Sequence, residues 1–354
     1  MTLEMPDLKV CGPSDVDLES PGKRHYQVAF PLDGSWGYSL VPLTVVRGTR
    51  QAVTPPRIEG VAVFGGTHGN EYEGQVAVKQ LCQELDPSAI AGTVLLMPQL
   101  SESACRAHTR CSPLDGVNMN RAFPGKERGS VSERIAAFVK TKIFPRAKVV
   151  VDLHAGGNEA VFPLCTSLHR VPDAQQQEEM LLVAALFDTP YVFLYSRQMA
   201  SGLLSDEAED EGKIAIGGEF GAGETVDRRG LLHAREGVRN VLRYYGLLDE
   251  TPRRIAPEGA ARALLIEAPD LRDYIPCPVD GVWEPLVSPG DTVETGQLIG
   301  RIHDFENHVS PARDIVSHRA GVVVALYRHA VCQKGLTLYV VGDQKMLESS
   351  FDKP

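Results

Sequence analysis

Val61-Ala62-Val63-Phe64-Gly65-Gly66-Thr67-His68-Gly69-Asn70-Glu71 is the stretch on which the fold turns. An apolar run that stops at two glycines reads as a buried strand releasing a polar loop into a helix. The helix is expected over 71–85, with Val76, Val78, Leu81, Cys82 and Leu85 on its apolar face and Pro87 beyond its end. Asn70 is the expected N-cap, and Glu73 would complete a capping box. His68 and Glu71 sit three positions apart at this turn, so an imidazole nitrogen and a carboxylate can aim at one point in front of the sheet. A lone His-x-x-Glu equally describes a surface turn with a capping glutamate. A metal reading therefore needs a third ligand.

The chain has 354 residues, enough for two domains with a sizeable core. Acidic residues outnumber basic ones, 46 to 36, and the resulting charge of −10 argues against nucleic acid or an anionic membrane as the main partner. Met1 to Gly12 holds no basic segment followed by an apolar core, and no apolar run reaches the length of a membrane span. The seven cysteines are odd in number and scattered, as expected of reduced thiols in a cytoplasmic protein.

Working outward, residues 1–54 read as an extended arm followed by a β hairpin, and Thr54-Pro55-Pro56 as a linker. Over 55–262 strands (61–64, 93–97, 148–153, 191–195, 213–219) alternate with helices (71–85, 131–143, 178–187, 231–246). That pattern predicts an α/β fold: a mixed, mostly parallel sheet with helices on both faces. In such sheets ligands bind beyond the carboxyl ends of the strands. One run ends in His154-Ala155-Gly156-Gly157 and another in Glu219-Phe220-Gly221, so His68, His154 and Glu219 fall at one edge, each beside glycines. The long segment Leu100 to Gly129 has little periodicity and holds Arg110, Asp115, Asn118, Asn120 and Arg121, as a functional loop would, while Arg106 and His108 read as solvated loop residues. Asp152 either orients His154 or makes a structural hydrogen bond. The acidic run Asp206 to Glu211 reads as a solvated face, and His169 and His233 as structural. Residues 263–345 read as a small all-β domain and 346–354 as a tail. The β text resembles biotinyl/lipoyl modules but lacks a carrier lysine between Arg301 and Gln333.

Several motifs in order carry a family resemblance: Gly66-Thr67-His68-Gly69-Asn70-Glu71, Asn118-Met119-Asn120-Arg121-Ala122-Phe123-Pro124-Gly125, Asp152-Leu153-His154 and Gly218-Glu219-Phe220-Gly221. On these the chain resembles the zinc-dependent succinylglutamate desuccinylase/aspartoacylase family, relatives of the zinc carboxypeptidases. Its text is nearest to the Nα-acetyl-L-2,4-diaminobutyrate deacetylases, although Ser101 stands where many relatives carry asparagine. The resemblance implies that His68, Glu71 and His154 bind one zinc ion per chain and that Glu219 is the general base. It implies Asn120 and Arg121 as holders of the substrate α-carboxylate, and Arg110, with Arg106 as second choice, as the carbonyl-polarising residue. The activity implied is removal of a short acyl group from an N-acyl amino acid, either acetyl-diaminobutyrate-like or acyl-aspartate/succinyl-glutamate-like. The alternatives are a zinc carboxypeptidase acting on small peptides and a non-catalytic zinc-binding module. The partner expected is the small-molecule substrate, with self-association left open.

Overall fold

The valine-rich runs are covered on both faces, which is why they lack the polar alternation of a half-solvated sheet. Strand periodicity sorts them: Val61, Val63, Val149 and Val151 face one core, while Ala62, Phe64 and Val150 face the other. The computed structural model describes residues 8–261 and 263–347. The start of the expected arm and nearly all of the expected tail lie outside the described residues.

In chain order the strands are β1 (Leu8–Cys11), β2 (Gly22–Pro31), β3 (Tyr38–Arg47), β4 (Gly60–Gly65), β5 (Thr93–Met97), β6 (Val149–Leu153) and β7 (Ala160–Val161). Next come β8 (Cys165–His169), β9 (Tyr191–Tyr195), β10 (Ile214–Glu219), β11 (Leu264–Ala268) and β12 (Tyr274–Pro276). The last are β13 (Gly281–Pro285), β14 (Thr292–Val293), β15 (Leu298–His303), β16 (Arg313–Val316), β17 (Gly321–Tyr327), β18 (Val331–Cys332) and β19 (Thr337–Met346). The helices are α1 (Tyr72–Glu84), α2 (Glu102–Ala107), α3 (Val131–Phe138), α4 (Ala174–Ala185), α5 (Leu204–Asp210) and α6 (Arg228–Tyr244).

The main sheet runs β1-β2-β3-β5-β4-β6-β10-β8-β9-β11-β19-β17-β14. Strands β5, β4, β6 and β10 are parallel neighbours, and β8 reverses direction against β10 to open a second parallel group with β9 and β11. This is the mixed, mostly parallel core expected. Apolar faces of α1, α4 and α6 (Leu81, Met180, Val238) pack on one side, and those of α3 and α5 (Ile135, Leu204) on the other. The hairpin near the N-terminus is β2 and β3, paired from Gly22 with Arg47 to Pro31 with Tyr38, and part of the arm adds as β1 at its edge.

The last third of the chain begins by extending this sheet, because β11 pairs with β9 and β19. A separate four-stranded sheet, β16-β15-β13-β18, closes over Trp283, Ile299 and Leu338. Strand β8 escapes a periodicity reading because Cys165-Thr166-Ser167-Leu168-His169 is half polar, yet it is buried throughout. Helix α4 starts before 178 because Asp173 caps it, accepting from the Gln176 N–H at 2.7 Å. The helix expected over 131–143 changes to a wider π turn at Val139–Ile143. Among the described residues no helix is long and apolar enough to cross a membrane.

Helix α1 lies tightly on the strand ends that carry the candidate ligands. A Cβ on Gly74 would fall 2.3 Å from the Leu153 carbonyl oxygen. Helix propensity alone favours alanine there by about 1 kcal/mol, but the collision is with strand backbone that has little room to give. Gly74→Ala should therefore destabilise the protein by roughly 1–3 kcal/mol in urea unfolding. An unchanged or higher midpoint would contradict this packing.

Candidate active site

Strand β4 ends at Gly65, and Gly66, at φ +66°, turns the chain in a conformation that L side chains rarely adopt. Helix α1 begins at Tyr72, and its N-cap is Glu71, with no side-chain cap. The expected cap at Asn70 is thus displaced by one residue: Asn70 instead donates from Nδ2 to Glu224 Oε1 at 3.0 Å. Glu73 makes no capping box either, and Oε1 accepts from the Asp227 N–H at 2.8 Å. Freed from capping, the Glu71 carboxylate faces the strand ends. His68 Nδ1 lies 2.7 Å from its Oε1, and His154 Nδ1 lies 2.9 Å from its Oε2. The Ala155 N–H donates to Oε2 at 3.1 Å and Arg110 to Oε1 at 3.2 Å. One ligand atom from each of His68, Glu71 and His154 lies within 4.8 Å of the others.

What the imidazoles do on their far sides decides what this cluster can hold. His154 Nε2 lies 2.7 Å from Asp152 Oδ2, and an ionised carboxylate only accepts, so Nε2 carries the hydrogen. Thr67 Oγ1 fixes the other Asp152 oxygen at 2.6 Å. His68 Nε2 lies 3.1 Å from Asn118 Oδ1, an oxygen identified by the Asn120 N–H that also donates to it. Both rings therefore donate outward and turn Nδ1 toward one buried carboxylate. In neutral rings those two lone pairs would confront Glu71 lone pairs, so protons or a cation must lie between. Burial opposes a charge on His154, yet Asp152 and Glu71 outweigh it and hold its pKa well above the ordinary value. Burial likewise opposes ionising Glu71, and His68 and His154 hold it well below the usual carboxylate range. His68 goes the other way, lowered chiefly by burial. Two imidazole nitrogens and a carboxylate, backed by outer hydrogen bonds and lining a cavity, are a group that could hold a metal ion, and zinc accepts such N/O donors.

Glu219 ends β10, and its backbone bridges to His154. Its Oε2 is buried without a hydrogen-bond partner, and burial, reinforced by Glu71, pushes its pKa up to about 8. A carboxylate so placed is poised to exchange a proton near neutrality. His68, Glu71, His154, Glu219, Arg110, Asn120 and Arg121 line one cavity of about 480 Å³. Arg106 does not: it is largely exposed and pairs with Glu102 on α2 at 3.3 Å. Asn120 turns Oδ1 to the Leu204 N–H at 2.9 Å, leaving its amide nitrogen to the cavity it lines.

Further lining comes from aromatic residues that no motif in the sequence singles out. Phe162, Phe193, Tyr195, Tyr274, Tyr327 and Tyr339 close the cavity, three of them from beyond residue 263. The link is β7, whose Ala160 and Val161 pair with Tyr327 and Leu326 on β17. Two residues give no periodicity to read, so the only available signal was the glycine pair after His154. The acidic run is not a solvated face. Glu209 is buried, 3.0 Å from His169 Nδ1, and Arg197 reaches Asp206 at 3.2 Å. That cluster of His169, Asp206 and Glu209 is served by its own cation, Arg197.

With this geometry in hand, the relatives fall into line. The succinylglutamate desuccinylase/aspartoacylase catalytic domain matches residues 57–245. The chain is 33% identical over 334 residues to the N-alpha-acetyl-L-2,4-diaminobutyric acid deacetylase of Halomonas elongata, covering 93% of this chain and 94% of that protein. It is similar to the crystal structure of a succinylglutamate desuccinylase/aspartoacylase from Rhodobacter sphaeroides, with a TM-score of 0.86 at 29% identity over 94% of this chain and 98% of that one. It is also similar to the product-bound ectoine utilization protein EutE (DoeB) of Ruegeria pomeroyi, with a TM-score of 0.84 at 27% identity over 93% and 97% of the two chains. Taken with a catalytic-type donor set at the strand ends, these matches place the chain in the succinylglutamate desuccinylase/aspartoacylase family of amide-hydrolysing enzymes.

Proposed function

We propose that this enzyme is a zinc-dependent deacylase that removes a short acyl group from an N-acyl amino acid, with one zinc ion held by His68, Glu71 and His154. The observation that carries this is the meeting of two outward-donating imidazoles on one buried carboxylate, with the unpartnered Glu219 Oε2 lining the same cavity. The similarity to a diaminobutyric acid deacetylase favours Nα-acetyl-L-2,4-diaminobutyrate over acyl-aspartate or succinyl-glutamate. Seven free cysteines favour a cytoplasmic setting.

A zinc ion held by these three residues would supply Lewis acidity, which activates water and polarises an amide carbonyl. The remaining work belongs to side chains of the chain. Glu219 takes a proton from the attacking water, and the water oxygen bonds to the carbonyl carbon. Arg110 meets the negative charge that develops on the carbonyl oxygen. As the C–N bond breaks, Glu219 returns the proton to the leaving nitrogen, giving a carboxylic acid and a free amino acid. Arg121 and the Asn120 amide nitrogen hold the α-carboxylate and fix the reacting bond over Glu219. Action on longer peptides is disfavoured by the cavity's size of about 480 Å³ and by Tyr274, Tyr327 and Tyr339 in its lining.

Glu219→Gln should lower kcat by about 10²- to 10⁴-fold on acetyl-amino acids while the zinc content stays at one per chain. Near-normal turnover in the zinc-loaded variant would remove Glu219 from this role. A second outcome follows from the raised pKa of His154. Asp152 and Glu71 raise its affinity for a proton, and that proton competes with the metal for Nδ1. Titration calorimetry in buffers of different ionisation enthalpy should show proton release on zinc binding. The apparent affinity should fall as pH is lowered from ~8 to ~6. Affinity flat across that window, with no proton release, would contradict the ligand assignment.

A further inference from the structure

We infer that Glu159 is the residue that selects the substrate side chain, by accepting the terminal ammonium of a basic N-acyl amino acid; this rests on the deacylase reading above. Arg110 pairs with Glu71 at 3.2 Å and belongs to the reacting end, where it faces the carbonyl oxygen. Arg121 bonds only the Asn120 carbonyl and makes no ion pair among the described residues. The anions at the reacting end, Glu71, Asp152 and Glu219, belong to the donor set or adjoin it. Glu159 is the remaining charged group, and among the described residues its carboxylate has neither a hydrogen bond nor an ion pair.

The backbone holds Glu159 in place. Its N–H and that of Ala160 both donate to the Gly156 carbonyl, and its own carbonyl accepts from the Arg328 N–H just past β17. Gly157, in the same turn, packs against Glu71, where an added Cβ would sit 3.2 Å from the Glu71 Cγ. Glu159 thus stands on a short, tied turn between the donor set and the aromatic wall. Glu159 and Tyr327 line the same cavity, and the Tyr327 pKa is raised by burial first and by the Glu159 charge second.

Away from the reacting end, the described lining therefore offers one cation and one anion without an ion-pair partner. An N-acyl amino acid with a second carboxylate would bring two negative groups to Arg121 and set one of them against Glu159. A substrate with one α-carboxylate and a side-chain ammonium satisfies both residues, and the aromatic wall adds a surface favourable to the cation. Because Glu159 is exposed, water weakens the pair, and a gain of about tenfold is expected rather than the larger factors of a buried one.

Three substrates with the same two-methylene stem test this: Nα-acetyl-L-2,4-diaminobutyrate, Nα-acetyl-L-norvaline and Nα-acetyl-L-glutamate. For the zinc-loaded wild type, kcat/KM should favour the diaminobutyrate over the norvaline by about tenfold, mostly through KM. Glu159→Gln should bring that ratio close to one, and Glu159→Lys should move the preference toward the glutamate. Zinc content and melting temperature should match the wild type in both variants. A ratio unchanged in Glu159→Gln, or an equal loss on all three substrates, would overturn the assignment and leave the deacylase reading intact. A wild type that hydrolyses none of the three would overturn both.

Discussion

The site depends on an electrostatic conflict: two buried imidazole nitrogens and one buried carboxylate point at the same small volume. Left to themselves these lone pairs repel, and taking a carboxylate out of water costs several kcal/mol unless it is paired. The chain resolves the conflict by fixing the outer side of each donor. Asp152 and Asn118 take the Nε2 hydrogens, Ala155 and Arg110 hold the carboxylate, and Thr67 steadies Asp152. The arrangement is rigid because its parts stand at the ends of β4, β6 and β10, whose register brings Gly65 beside Leu153 and His154 beside Glu219. Glycine is required at Gly74 because the helix bearing one end of the donor set must touch the strand bearing the other.

The second half of the site is a wall rather than a charge cluster. Strands β11 and β19 continue the main sheet, and β17 brings Leu326 and Tyr327 over the catalytic edge. The turn after His154 joins the two halves, since it packs on Glu71 and then pairs as β7 with β17. A donor set that could serve many hydrolyses is thereby confined to a cavity of about 480 Å³, a size that suits a small molecule.

The donor set was legible in the sequence because its physics is local. A buried parallel strand shows as an unbroken apolar run, and the polar residue just past it, next to glycine, marks the ligand edge. His68, His154 and Glu219 each follow that rule, and the mixed sheet follows from the same runs. What was not legible depends on contacts distant in the chain. Asn70 looked like the cap because nothing local says that Glu224 would claim its side chain. The acidic run at Asp206 to Glu211 looked solvated because its partners, His169 and Arg197, come from other elements. Tyr274, Tyr327 and Tyr339, on β12, β17 and β19, carry no local signal because only long-range strand pairing brings them to the cavity.

The central claim is that His68, Glu71 and His154 share one divalent cation, and anomalous diffraction at the zinc edge from crystals of the zinc-loaded protein tests it most directly. The account predicts a single peak per chain, bonded to Nδ1 of both histidines and to the Glu71 carboxylate at roughly 2.0–2.2 Å. Metal density elsewhere, or none between these three side chains while they keep their present contacts, would contradict it.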